Sequence, residues 1–130
     1  MRRKFRIGLA GLLALSACLL AAASLPRALA PAQGGLWEVS RSATGHAATR
    51  ICVASPDLLA QFEHRQNRCS RKVVSDSGTQ TLISYNCAGG GFGQSKMTLI
   101  TPRTLRIDTQ GISHDLPFHY QLHARRVGDC

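Results

Sequence analysis

The chain has 130 residues, five cysteines and a formal charge of +9, a length that leaves room for one domain. The charge overstates the basicity of the folded part. Five of the 16 basic residues (Arg2, Arg3, Lys4, Arg6 and Arg27) precede Pro31, so residues 31–130 hold 11 against all seven acidic ones, about +4. A domain of that size gains only a modest stability margin from burial, and disulfides are the usual supplement in an oxidising compartment.

The first thirty residues read as a secretory signal. Met1-Arg2-Arg3-Lys4-Phe5-Arg6 is a basic start, residues 7–25 are apolar and uncharged, and Pro26 breaks the run before Ala28-Leu29-Ala30. Cleavage after Ala30 gives a signal over residues 1–30 and a single exported domain over residues 31–130, although Pro31 is a poor neighbour for the peptidase. Cleavage after Ala23, with Ala21 in the other small position, is the alternative. Leu15-Ser16-Ala17-Cys18 also resembles a lipobox, which would lipidate Cys18, but an apolar stretch follows where a lipoprotein has a polar tether. The apolar run is close to the ~20 residues that span a bilayer, so an uncleaved anchor is a third reading. Each places the domain outside the cytoplasm, in the periplasm or beyond.

Past Gly34-Gly35, Leu36 to Arg41 predicts a strand with Trp37 as a core anchor, and Ala48 to Val53 a second strand after a turn at Gly45. Ser55-Pro56-Asp57 has the serine, proline and aspartate of a helix start, and Leu58, Leu59 and Phe62 give that helix an apolar face through about His64. From Ser70 the pattern changes to short strands. Arg71 to Ser75 and Thr79 to Cys87 form a hairpin, with Thr81, Ile83, Tyr85 and Cys87 on one face. Strands near Gln94 to Thr101 and Leu105 to Thr109 follow, separated by a turn at Pro102. The last strand has the clearest period of two: Phe118, Tyr120, Leu122 and Ala124 against His119, Gln121, His123 and Arg125. The expected fold is mostly β with one short helix (α+β), a one-sided antiparallel meander or partial barrel stapled by two disulfides.

Cys52, Cys69, Cys87 and Cys130 are an even set, and four cysteines allow three pairings. The expected pairs are Cys52–Cys69, closing the helix-bearing loop, and Cys87–Cys130, tying down the terminus. No C-x-x-C pair supports zinc. Gly35-Leu36-Trp37-Glu38-Val39, Cys52-Val53 before Ser55-Pro56-Asp57-Leu58, Cys87 with its glycines, and Gly128-Asp129-Cys130 after paired arginines together resemble the domain of unknown function 3617 family. These are exported bacterial proteins. The resemblance implies export, the four-cysteine framework and a mostly β fold, and it brings no activity or catalytic residues. The chain departs from the methionine-rich strands of many members, with only Met1 and Met97.

Chemical motifs are scarce. Gly89-Gly90-Gly91-Phe92-Gly93-Gln94-Ser95-Lys96 lacks the Gly-Lys pair and the following helix of a phosphate loop and reads as a flexible turn. His119 and His123 lie on a strand, about 13 Å apart, too far to share one metal. No G-x-S-x-G is present, so no catalytic residue, cofactor or metal is assigned. Arg65, Arg68, Arg71 and Lys72 around Cys69, with Arg125 and Arg126 near the end, could form a basic patch for an anionic envelope component or a periplasmic protein. The compartment and the few aromatics exclude nucleic acid. The expected role is non-catalytic binding or envelope maintenance. The competing roles are a small periplasmic hydrolase, which needs a histidine beside a serine or carboxylate, and an inhibitor of an envelope enzyme. The last would present a rigid loop, for which Gly111 to Pro117 is the candidate.

Overall fold

The computed structural model describes residues 25–130. Its seven strands are β1 (Gly35–Ser40), β2 (Thr49–Val53), β3 (Cys69–Ser77), β4 (Gln80–Cys87), β5 (Phe92–Thr101), β6 (Thr104–Ser113) and β7 (Leu116–Gly128). They form one antiparallel sheet in the order β2-β1-β7-β6-β5-β4-β3. Strands β3 to β7 are a meander of hairpins, as their short polar turns require. The closing step is the return of β7 alongside β1, with Val39 opposite Ala124, which sets the last strand beside the first.

The period of two does the rest. Trp37, Val39, Ile83, Tyr85, Met97, Leu105, Ile107, Leu122 and Ala124 turn to one face and are buried there. The cover on that face is short 3-10 structure, not a second sheet. A turn at Arg27–Leu29 supplies Leu29, and Pro56–His64 supplies Leu59, Ala60 and Phe62 to the same core. The second segment is the expected short helix, in 3-10 rather than α geometry. Ser55 makes no side-chain cap bond and Gln61 leaves helical geometry, so i→i+3 bonding replaces a regular helix over nine residues. Buried Ser95 of β5 donates to the carbonyl of Ala60, fastening this segment to the sheet.

The opposite face has no such cover and is largely polar. Glu38 sits between Arg50 and Arg125, each at 3.1 Å. The hydrogen bond from Arg125, with help from Arg50, holds its carboxyl below the usual glutamate range against a smaller opposing effect of desolvation. Lys96 and Asp108 approach at 3.9 Å, and Gln121 donates to Asp108 at 2.9 Å. Such exposed pairs set the solubility of the face more than its stability.

The four cysteines among the described residues are all bonded, but in another pairing from the expected one: Cys52–Cys130 and Cys69–Cys87. The sheet order explains the change. Cys69 and Cys87 stand directly opposite each other at the open end of the β3–β4 hairpin. Leu36 of β1 is paired with Cys52 on one side and Gly128 on the other, so the chain end needs only to cross β1 to reach β2. The terminus is pinned, as a terminal cysteine suggested, but to the opposite half of the sheet.

Candidate functional site

Across the uncovered face, strand register assembles two short rows of side chains. Ser84, Gln94, Gln110 and His119 are successive partners on β4, β5, β6 and β7; Phe92, Ile112 and Pro117 form the next row towards the β6–β7 turn. Between them lie Gly93 and Gly111, which are themselves paired. These rows border an open groove of about 720 Å³. One wall is apolar and the other carries amides and a hydroxyl, with His119 the sole titratable lining residue. Phe92 is 48% exposed and forms one apolar patch with Ile112 and Pro117, and it is such patches, not single exposed residues, that mark a binding surface.

Each glycine has a steric cause. A Cβ on Gly93 would stand 2.6 Å from the Tyr85 hydroxyl oxygen, and one on Gly111 would stand 2.2 Å from the Phe92 carbonyl oxygen of the paired strand and 3.0 Å from the Phe118 ring. Glycine at 93 admits the Tyr85 ring onto the sheet surface, and glycine at 111 lets the β5 backbone approach closely. The rings belong to an aromatic group that is buried at His64 and Tyr85 and half-buried at Phe118 and Tyr120. His64 Nδ1 is 2.9 Å from the Tyr85 hydroxyl, Phe118 packs on both His64 and Tyr120, and Tyr120 donates its hydroxyl to Glu63. His64 Nε2 is buried without a partner and lies against Gly91.

Burial, reinforced by the Glu63 charge and only partly offset by a hydrogen bond with Thr109, pushes the Tyr85 phenol up to about 12. Burial and then the hydrogen bond to Glu63 push Tyr120 further in the same direction. These are the chain's two tyrosines. A phenol whose folded value is raised adds stability below its unfolded value near 10, lost as pH rises through the folded value. In an absorbance titration the oxidised protein is therefore expected to show almost no tyrosinate at pH 10.5 and to develop it near pH 12, together with unfolding. Two tyrosinates forming at pH 10 with the fold intact would contradict this packing.

A second recess, of about 540 Å³, lies beside Tyr120 and is lined by Arg41, His46, Glu63 and Arg65 among others. Its charged groups are already engaged. Arg41 lies 4.0 Å above the Tyr120 ring, Arg65 lies 4.4 Å over Phe62 and donates to the Phe62 carbonyl, and Glu63 accepts from Tyr120.

The residues of the anticipated basic patch are spread over the sheet. Arg71 binds Gln61 at 2.7 Å and Asp57 at 3.4 Å on the covered face. Arg65 and Arg68 lie before β3, exposed, and Lys72 is exposed on that edge strand. Arg125 is held by Glu38, and Arg126 by Asp129 at 2.6 Å and the Gly34 carbonyl at 2.9 Å. Strand β7 is four steps from β3 in the sheet, about 19 Å. The structure therefore keeps Arg125 and Arg126 apart from the other four. His119 and His123 lie on one strand, and the hydroxyl of Ser113, the last residue of β6, is 3.2 Å from His114 Nδ1 in the exposed hairpin turn that follows. Among the described residues no group of three His, Cys, Asp or Glu side chains could hold a metal.

The sequence named several of these residues singly, Phe92, Gly93 and Gln94 in a glycine-rich turn, Gly111 to Pro117 as a loop and His119 on a strand, but not the groove they form together. Its signals were a phenylalanine, Phe92, two residues before polar Gln94 on one strand, and glycines at 93 and 111 inside strands, where close approach is the usual reason.

A single antiparallel sheet, covered on one face, open on the other through a groove and stapled at two points, defines a small disulfide-bonded β domain. Within that class the chain belongs to the family described as Protein of unknown function (DUF3617), whose sequence model matches residues 31–130. No curated protein and no solved structure matches it.

Proposed function

We propose that this is an exported, non-catalytic binding protein of the cell envelope, and that the groove on its uncovered face takes an apolar ligand with a neutral polar edge. The observation that carries the reading is the groove's lining: exposed Phe92 with Ile112 and Pro117 on one side, Gln94 and Gln110 on the other. Apolar walls with a few placed hydrogen-bonding groups are what small-molecule sites share. No side chain of fixed charge lines it, so an ion has nothing to pair with there. Export is supported by the basic and apolar leader and by two disulfides, which persist in oxidising compartments. No helix among the described residues is long and apolar enough to cross a membrane.

The uncharged fluorophore N-phenyl-1-naphthylamine tests the reading. The oxidised protein is expected to bind it saturably with enhanced emission. Phe92→Asp should weaken binding at least tenfold, while Val74→Asp, at an apolar residue 52% exposed on β3 outside the groove, should leave it unchanged. Equal binding by all three proteins would remove the groove from the account.

A further inference from the structure

The leader reading puts the preferred processing site at Ala30, yet residues just before it are part of the fold. Leu29 is fully buried in the core cluster, and Pro26 and Ala28 are buried beside it. Leu25 packs against the same cluster. The carboxylate of Asp76, near the end of β3, accepts the backbone N–H groups of Arg27 at 2.7 Å and Ala28 at 3.0 Å. The first 3-10 turn touches β3, β4 and β5, so it closes the far half of the sheet. Cutting after Ala30 would delete Leu29 from the core and leave Asp76 without the two amides it holds. Both losses fall on the domain the cut is meant to release.

We infer that the processing site is the bond between Ala23 and Ser24, and that the mature protein keeps the 25–30 segment as a structural part of its domain. Water hydrolyses this bond in the signal peptidase, leaving a carboxylate on Ala23 and a free amine on Ser24. Ala21 and Ala23 supply the two small residues the peptidase reads, and the residue beyond the cut is a serine, small and with its amide hydrogen in place. At Ala30 the residue beyond is Pro31, whose ring replaces the amide hydrogen. Cleavage after Ala23 removes none of the residues that build the described core.

The inference rests on the export reading, and one experiment separates the two. The full chain is expressed in a bacterial host, and the N-terminus of the product is determined by intact mass and terminal sequencing. A chain starting at Ser24 is expected. A start at Pro31, or an acylated Cys18, leaves export standing and overturns the site. An uncut chain starting at Met1 in the cytoplasm overturns export itself. Ala23→Tyr should block processing, whereas Ala30→Tyr, at an exposed residue, should leave the same terminus. A block by Ala30→Tyr alone would also overturn the inference.

Discussion

Replacing Cys52 and Cys130 together by serine is expected to cost about 4–5 kcal/mol of stability. The bond joins residues 78 apart in sequence, so removing it frees most of the domain in the unfolded state. The Cys69–Cys87 bond closes only 18 residues, and the corresponding double serine variant should lose about 3 kcal/mol. A domain of this size has roughly 5–15 kcal/mol in hand, so either loss alone leaves a weakened fold and both together remove most of it. Urea unfolding followed by circular dichroism measures the difference. A larger loss from the Cys69/Cys87 variant than from the Cys52/Cys130 variant would contradict the pairing. A non-reducing tryptic map gives an independent reading: cleavage at Arg65 and Arg126 should leave the Cys52 peptide joined to the C-terminal peptide. Finding Cys52 joined to Cys69 would restore the pairing that sequence reasoning favoured.

Trp37→Ala is the second large effect, expected to cost about 3–5 kcal/mol. Trp37 is fully buried on β1, between Ile51 of β2 and Arg126 of β7 in register, so it packs at the junction that closes the sheet. Its indole N–H donates to the Gln33 carbonyl at 3.1 Å, which orders the approach to the strand. Alanine leaves a cavity at the junction and an unpaired carbonyl. Trp37→Phe keeps much of the ring and should cost roughly half as much or less. The urea midpoint should fall in that order with little change in slope. A loss under about 1 kcal/mol for the alanine variant would mean that β1 does not close onto β7 as described.

Much of the fold was legible because strands that bury one face must alternate. Thr81, Ile83, Tyr85 and Cys87, and Phe118 to Ala124, announced their faces two residues at a time, and the structure places both sets as that period requires. Trp37 as a core anchor followed from the same reasoning. The pairing of β1 with β7 was not legible, since a contact between strands some eighty residues apart leaves no local mark. The disulfide connectivity depended on that pairing and was missed with it. The segment at Pro56–His64 has a helix's start residues, but its nine residues lack the length to impose α geometry against the sheet. Leu29 is the middle residue of the Ala28-Leu29-Ala30 motif, where the sequence looks the same whether that residue is discarded with a leader or kept in a core. The groove lay on the face that polar residues mark as solvent, where only Phe92 and two strand glycines spoke against that reading.

Chemical-shift mapping tests the central claim most directly. Isotope-labelled oxidised protein is titrated with N-phenyl-1-naphthylamine, and backbone amide shifts are followed. The account predicts the largest, saturable changes at Gly93, Gln94, Gln110, Gly111 and His119, with Arg65 to Lys72 and the Arg125–Arg126 pair unmoved. Shifts centred on the basic residues, or none at the groove at saturating probe, would contradict it.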